Sequence, residues 1–271
     1  MDNRPIGIFD SGLGGLTGLK VLRQLLPGED FVFFADTGRM PYGPRPLKQL
    51  RAFAVQNMDF LAARGVKAIL SACGTVSSNA GDILDAYPVP TFGVLRPSVE
   101  AMAAVPGEGP LAVIATAASI KSGQFTEPLR RLCPGREIVG VACPEFVPMI
   151  EAGHIAPDDP VALDVVSRTL APLKGRKLDA LLLGCTHYGV IEQSIRLELG
   201  DVPLLSAATC GAEALRDALK ALALTGAQKE GGGARFYISS DPEPFERFAS
   251  RYLDMGPVRA ERVPVMETIN L

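Results

Sequence analysis

The stretch ALLLGCTHYGV, residues 180–190, places a run of apolar residues directly before a thiol, a hydroxyl and an imidazole. A lone buried cysteine normally serves as a small apolar residue, so this triplet alone indicates little. A second stretch, KAILSACGT at residues 67–75, has the same form and also ends its apolar run on a cysteine. Both cysteines are therefore predicted to lie at the ends of buried strands.

Short apolar runs of this kind alternate with helical stretches along most of the chain. The predicted strands are 5–9, 30–35, 68–72, 111–116, 137–142 and 180–184, and the predicted helices between them include 16–26, 47–64 and 161–174. The helices have apolar residues at three- and four-residue spacing, whereas the strands lack polar alternation. This pattern is typical of an α/β fold with mainly parallel sheets that are covered on both faces.

The two halves of the chain also resemble each other in layout. Matching strands end at residues that are 106, 107 and 112 positions apart, namely Asp10 and Thr116, Asp36 and Cys143, and Cys73 and Cys185. Three matched strand ends in the same order favour a duplicated unit over chance similarity. We therefore predict two pseudo-symmetric, doubly wound domains with an active site in the cleft between them.

The predicted domain boundaries follow from the segments that have no counterpart in the other half of the chain. A seam is predicted within VPTFGVLRPS, residues 89–98. The helix at 211–224, the glycine-rich loop at 229–234, the strand at 234–239 and the helix at 244–253 have no counterpart after the first set of strands. We expect them to cross back, so that residues 1–95 and 207–271 form the first domain and residues 96–206 the second.

Composition and charge exclude several classes of protein. The 271 residues are 47% hydrophobic and 21% charged, which is not the composition of a disordered chain. A net charge of −3 without a Lys/Arg cluster argues against a nucleic-acid partner. We find no signal-peptide pattern and no apolar run near the ~18 residues that a membrane span needs, so no membrane partner is expected and the predicted location is the cytoplasm.

The cysteines and histidines do not form a disulfide framework or a metal site. Five cysteines are scattered widely, and they lie at positions 73, 133, 143, 185 and 210. Tetrahedral zinc needs three or four protein ligands, but Cys185 and His187 have only His154 as a further histidine and no CxxC pair nearby. No metal is predicted.

The stretch DSGLGGLTG, residues 10–18, follows a strand and opens a helix. A dinucleotide fingerprint would need glycine at positions 12, 14 and 17, but position 17 is a threonine. We instead expect the glycines to let backbone N–H groups and Ser11 approach a small anion at the helix N-terminus. Asp10 would then lie where open α/β sheets bind their ligands.

The two cysteines at matching strand ends suggest a specific chemistry. Each is predicted to precede a helix, whose N-terminus favours a thiolate. If the two halves face each other, Cys73 and Cys185 approach one cleft from opposite sides. Inversion of a carbon stereocentre needs a base on one face and an acid on the other, and this arrangement would supply both. Three other interpretations remain open: inert core cysteines, a redox disulfide, and a hydrolase with Cys185 as nucleophile and His187 as base.

At this point the sequence resembles the cofactor-independent glutamate racemases of the aspartate/glutamate racemase superfamily. The motifs that carry the resemblance are IGIFDSGLGGLT (6–17), FFADTGRMPYG (33–43), ACGT (72–75), VPMIEAG (147–153) and LLLGCTHY (181–188). The resemblance implies an enzyme of two α/β domains that racemises glutamate without pyridoxal phosphate, metal or other cofactor. It also implies a supply of D-glutamate for peptidoglycan synthesis and a homodimer.

The resemblance further implies roles for individual residues. Cys73 would remove the α-proton of D-glutamate and Cys185 that of L-glutamate. Asp10 and His187 would assist the respective thiols, and Glu151 would support His187. The residues implied to hold the substrate are Asp10, Ser11, Tyr42, Gly43, Gly74, Thr75, Thr116, Thr186 and His187.

Four positions depart from the pattern of these racemases. Gly74 stands where they usually have an asparagine that contacts substrate, and Ser119, Gly189 and Leu205 replace a threonine, a proline and an aspartate. Because of Gly74, a racemase for a related compound such as aspartate or a hydantoin is an alternative. A degenerate homologue that acts as a binding or regulatory protein is another.

Overall fold

The computed structural model describes residues 1–226 and 231–264, in which two separate sheets are surrounded by helices. The strands are β1 (Ile6–Asp10), β2 (Phe31–Ala35), β3 (Ala68–Ser71), β4 (Thr91–Gly93), β5 (Leu111–Ala115), β6 (Ile138–Ala142), β7 (Ala180–Leu183), β8 (Leu204–Ser206), β9 (Ala234–Ile238) and β10 (Ala260–Arg262). The α-helices are α1 (Gly15–Leu25), α2 (Leu47–Ala62), α3 (Gly74–Asn79), α4 (Gly81–Ala86), α5 (Leu95–Ala103), α6 (Ala117–Lys121), α7 (Thr126–Leu132), α8 (Phe146–Glu151), α9 (Pro160–Leu170), α10 (Glu192–Leu199), α11 (Ala207–Ala221) and α12 (Pro242–Tyr252). Short 3₁₀ turns cover Thr37–Arg39, Ala171–Leu173 and Thr186–Ile191. No helix in the described ranges is both long enough and apolar enough to cross a bilayer.

The order of the strands shows the duplication directly. The first sheet has the order β10-β9-β2-β1-β3-β4 and the second has the order β6-β5-β7-β8. Each pair of neighbouring strands is parallel. The segment β2-β1-β3-β4 therefore matches β6-β5-β7-β8 strand for strand. The predicted fold class, with two pseudo-symmetric parallel sheets, is confirmed.

All six strands predicted in the two halves are present, and their ends differ from the prediction by at most one residue. The strands β4, β8 and β10 were not predicted, because three residues are too few to show a periodic pattern. The third predicted helix was too long: α9 ends at Leu170, and Pro172, which has no backbone N–H, lies in the 3₁₀ turn that follows. The predicted glycine-rich loop begins at residues 229 and 230, which lie outside the described residues.

Each sheet has an apolar core on both of its faces. In β1, Ile6 and Ile8 pack with residues of α1, α11 and α12, whereas Phe9 packs on the other face with residues of α2. In β5, Ile114 and Val113 likewise belong to opposite cores. Strands that are buried on both faces have no reason to alternate with polar residues, which explains their continuous apolar runs.

The central strands of each sheet bring the polar strand ends together. β1 lies between β2 and β3, and β5 lies between β6 and β7. In each sheet, the strands that follow the first one are therefore added on both of its sides. Open α/β sheets bind ligands at the carboxyl ends of strands where the winding direction changes. Asp10 and Cys73 lie at this edge of the first sheet, and Thr116 and Cys185 lie at the same edge of the second.

The last segments of the chain return to the first sheet. β9 pairs with β2, and β10 pairs with β9. Lys67 strengthens this return: its Nζ lies 2.6 Å from Glu29 Oε2, while Glu29 Oε1 accepts a hydrogen bond of 2.7 Å from the Gly226 N–H. These contacts support the predicted boundaries near residues 95 and 206, which stay a prediction; α5 itself begins at Leu95.

We expect Lys67→Met to lower the free energy of unfolding by about 3–5 kcal/mol, because it leaves the Glu29 carboxylate buried without its cation. Urea denaturation measures this loss. The control is Arg96→Met, which breaks an exposed ion pair with Glu100 and is expected to cost less than about 1 kcal/mol. Equal losses in the two variants would contradict the prediction.

Candidate active site

A cavity of about 410 Å³ lies between the carboxyl ends of the two sheets. Its volume is within the usual range for small-molecule sites. Every predicted site residue except Glu151 lines it, namely Asp10, Ser11, Tyr42, Gly43, Cys73, Gly74, Thr75, Thr116, Cys185, Thr186 and His187. Two segments that are 112 residues apart in sequence thus bring their sulfur atoms to one cavity.

On the second-sheet side, Cys185 begins a chain of three polar side chains. The Cys185 Sγ lies 3.8 Å from His187 Nδ1, and His187 Nε2 lies 2.8 Å from Glu151 Oε1. Glu151 Oε1 also accepts a hydrogen bond of 3.4 Å from the Leu13 N–H, which belongs to the loop after β1. Glu151 therefore lies behind the histidine and joins it to the first sheet's loop.

The charge state of His187 follows from these neighbours. Burial by itself would lower the pKa of His187, but the hydrogen bonds and negative charge of Cys185 and Glu151 raise that pKa well above its usual value. These neighbours favour the protonated, cationic form of the ring. A cation at this distance stabilises a negative charge on the Cys185 sulfur.

On the first-sheet side, Cys73 begins a similar chain. The Cys73 thiol donates to Ser11 Oγ at 3.7 Å, and the Ser11 hydroxyl donates to Asp10 Oδ1 at 3.4 Å. Asp10 Oδ1 also accepts the Gly12 N–H at 2.9 Å, and Asp10 Oδ2 accepts the Thr186 hydroxyl at 3.2 Å. Burial raises the pKa of Asp10, although the charge of His187 opposes the shift.

The helix N-terminus favours a thiolate at Cys73, but burial has the larger and opposite effect. The backbone N–H of Val76, in the first turn of α3, does bond to the sulfur. Burial nevertheless raises the pKa of Cys73 to about 12, and the charge of Asp10 adds to the shift. A single hydrogen-bonded turn does not offset the loss of solvation, so Cys73 is a protonated thiol at neutral pH.

Two predicted substrate-binding hydroxyls are already engaged. The Tyr42 hydroxyl donates to Asp36 Oδ2 and accepts from Asn57 Nδ2 at 3.1 Å. Thr116 caps α6: its Oγ accepts from the Ser119 N–H at 3.3 Å and donates to Ser119 Oγ at 3.0 Å. The serine that replaces the usual threonine at position 119 thus supplies a partner for this cap.

Two glycines of DSGLGGLTG lie where a side chain would clash with its neighbours, and the predicted contact with an anion stays a prediction. A Cβ on Gly14 would lie 2.3 Å from His187 Nδ1 and 2.6 Å from Thr186 Oγ1, and one on Gly12 would lie 2.7 Å from Met40 Sδ. Neither glycine lines the cavity. The missing side chain of Gly14 leaves the space that the His187 turn occupies, and that of Gly12 leaves space for Met40 and Glu151.

Gly74 lies against the segment that carries Cys185. A Cβ at this position would lie 3.1 Å from the carbonyl oxygen of Gly184, which is a tight contact. An asparagine here would therefore need a small backbone shift.

Sequence reasoning missed several residues that line the cavity, among them Met40, Cys143 and Val147. Cys143 follows β6, so its position at a strand end, which matches that of Asp36, was a usable signal. Met40 and Val147 lie within the motifs FFADTGRMPYG and VPMIEAG, but their side chains are apolar and carry no chemistry that distinguishes them from core residues.

Comparison with known proteins identifies the family. Residues 21–215 match the Asp/Glu/Hydantoin racemase family. A glutamate racemase of Streptococcus agalactiae is 37% identical over 269 residues, covering 97% of this chain and 99% of that protein. The chain belongs to the Asp/Glu/Hydantoin racemase family. The resemblance seen in the motifs is thereby confirmed.

Solved structures of family members have the same fold. Glutamate racemase from Francisella tularensis in complex with D-glutamate has a TM-score of 0.86 and 34% identity, covering 97% of this chain and 98% of that one. The enzyme from Thermus thermophilus in complex with β-chloro-D-alanine has a TM-score of 0.84 and 40% identity, covering 98% and 99%.

We expect Gly14→Ala to lower kcat/KM by about 100-fold, because the added methyl group displaces the His187 ring, and a displacement of about 1 Å can cost this much. Steady-state kinetics with glutamate and a thermal unfolding curve check the result. Gly81→Ala is the control, since nothing lies within 4 Å of its Cβ. Unchanged kinetics in Gly14→Ala would contradict the packing argument.

The two thiols should also differ in reactivity toward iodoacetamide. Both are buried to a similar degree and line the same cavity, so access is matched. Because the thiolate is the reactive form and burial raises the pKa of Cys73 to about 12, we expect Cys73 to be alkylated at least about tenfold more slowly than Cys185, whose sulfur lies 3.8 Å from the His187 ring, at pH 7.5. The Cys73 rate should keep rising through pH 10, since its pKa is about 12. Peptide mapping by mass spectrometry measures both initial rates, and equal rates would contradict the asymmetry.

Proposed function

We propose that this protein is a glutamate racemase that inverts the α-carbon by proton transfer between two thiols, without a cofactor. The main support is that Cys73 and Cys185 line one cavity although they follow strands of different sheets. A substrate held between them would present opposite faces of its α-carbon to the two sulfurs.

The charges around the two sulfurs suit the reaction in the direction from L- to D-glutamate. Cys185, beside a cationic His187, takes the α-proton of L-glutamate, and Cys73, which holds a proton, delivers it to the opposite face. The product is D-glutamate, and the proton now lies on Cys185 instead of Cys73. This second form of the enzyme is the one that accepts D-glutamate.

The cavity would bind the substrate carboxylates without a lysine or arginine. Among the described residues that line it, His187 is the one cationic side chain. The remaining polar groups include the Asp10 carboxylate, hydroxyls such as that of Thr75, and backbone N–H groups at the starts of the short helices α3 and α6. Fixed dipoles of this kind stabilise the negative charge that develops when the α-proton leaves.

Glutamate is the substrate best supported over aspartate or a hydantoin. The relatives at 34–40% identity described above carry the name glutamate racemase, and one of them is in complex with D-glutamate. A degenerate binding protein is disfavoured because Cys73, Cys185, Asp10 and His187 all lie at the cavity. The supply of D-glutamate for peptidoglycan follows from this activity, and a homodimer and a cytoplasmic location stay predictions.

Incubation with either glutamate enantiomer in D₂O tests the proposal. The wild type is expected to give a racemate with deuterium at the α-carbon. Cys73→Ala and Cys185→Ala should each invert at least about 10³-fold more slowly, because one acid–base group is missing. Cys73→Ala should still exchange the α-proton of L-glutamate, and Cys185→Ala that of D-glutamate. NMR and chiral chromatography measure exchange and inversion.

The control is Cys133→Ala, which removes a buried cysteine that does not line the cavity and should leave inversion unchanged. Turnover of aspartate or a hydantoin without turnover of glutamate would replace the proposed substrate. Wild-type inversion by either Cys73→Ala or Cys185→Ala would overturn the two-thiol mechanism.

A further inference from the structure

Ser11 connects Cys73 with Asp10 through two consecutive hydrogen bonds, in which it accepts from the first residue and donates to the second. The thiol donates to the Ser11 oxygen at 3.7 Å, and the Ser11 hydroxyl donates to Asp10 Oδ1 at 3.4 Å. Catalytic hydrogen bonds are often long in a site without substrate and shorten when the substrate binds. Both donors therefore point from the sulfur toward the carboxylate, which is the direction in which a proton would move.

We propose that Ser11 relays a proton between the Cys73 thiol and the Asp10 carboxylate, an inference that rests on the proposed racemase function. The Cys73 S–H bond breaks as Ser11 Oγ takes the proton, and the proton already on Ser11 passes to Asp10 Oδ1. One proton has then moved, and a thiolate and a carboxylic acid replace a thiol and a carboxylate. No electrons are gained or lost, and the reverse transfer restores the thiol.

The surroundings of Asp10 fit the role of proton acceptor. Asp10 is 1% exposed, so it exchanges protons with groups in the site rather than with bulk water. The Gly12 N–H holds Oδ1 and the Thr186 hydroxyl holds Oδ2, which keeps Oδ1 directed toward Ser11. Burial favours the neutral acid by raising the pKa of Asp10, and this makes proton uptake easier.

The opposite side of the cavity has the same order of groups. There a thiol, an imidazole and a carboxylate follow one another in Cys185, His187 and Glu151, with separations of 3.8 and 2.8 Å. A hydroxyl, like an imidazole, can accept one proton while it donates another. An imidazole can also keep the extra proton, whereas a hydroxyl can only pass it on. Deprotonation of Cys73 by any route other than delivery of its proton to a substrate therefore depends on the Ser11 hydroxyl.

A relay has a kinetic consequence that simple substrate binding by Ser11 does not have. The two enantiomers have equal free energies, so any variant changes kcat/KM equally in both directions. Isotope effects from α-deuterated substrates distinguish the two thiols. The isotope effect with D-glutamate reports how far proton removal by Cys73 limits the rate, and the isotope effect with L-glutamate reports the same for Cys185. Loss of the relay slows the Cys73 transfer alone.

The experiment compares Ser11→Ala with Ser11→Thr, which keeps a hydroxyl. Ser11→Ala is expected to lower kcat/KM about 10²-fold. Its isotope effect on kcat/KM should rise with α-deuterated D-glutamate and fall with α-deuterated L-glutamate. Ser11→Thr should restore the wild-type pattern, and Ser11→Gly should repeat that of Ser11→Ala. His187→Gln is the matched control and should show the opposite asymmetry.

Three results would overturn the relay: isotope effects that change alike for both enantiomers in Ser11→Ala, a raised KM with unchanged isotope effects, or failure of Ser11→Thr to restore the pattern. These results leave the racemase proposal intact, because the wild type still inverts glutamate. Absence of inversion by the wild type would instead refute the proposed function itself.

Discussion

The contact between the loop after β1 and the turn after β7 is the constraint on which the rest of the site depends. Thr186 lies at its centre: its carbonyl accepts the Thr17 hydroxyl at 3.0 Å, and its own hydroxyl donates to Asp10 at 3.2 Å. Glu151 adds a bond to the Leu13 N–H. These bonds are possible only because Gly14 leaves space for the ring of His187. This contact joins the loop after β1 to the turn that carries Cys185, at the edge of the shared cavity.

The duplicated scaffold places two thiols at equivalent positions, whereas the surrounding side chains make them chemically unequal. Cys73 is buried beside a carboxylate, which holds its proton. Cys185 lies beside an imidazolium, which favours negative charge on the sulfur. The proposed racemisation by two thiols needs an acid and a base at the same moment, so this inequality suits that mechanism. The symmetric backbone places the two thiols at equivalent positions, and the different side chains around them give the thiols different charge states.

The loop that carries Tyr42 into the cavity is held by a buried polar network. Arg39 Nε lies 2.6 Å from Asp36 Oδ2, and its guanidinium lies 4.1 Å from the centre of the Phe53 ring. Asp36 also accepts the Tyr42 hydroxyl. An ion pair that is buried in this way gives little net stability, since desolvation opposes the attraction. It does fix the conformation of the loop, and with it one wall of the cavity.

The sequence by itself determined the fold class, the six main strands, the duplication and the placement of both cysteines at strand ends. These features are local, because apolar runs and their ends are visible without knowing what packs on them. The tertiary structure alone decided that Cys73 keeps its proton, that Gly12 and Gly14 make room for other side chains, that the Tyr42 hydroxyl is already engaged, and that Cys143 joins the cavity. Desolvation, steric contact and hydrogen bonding depend on segments that are distant in sequence, so no local pattern encodes them.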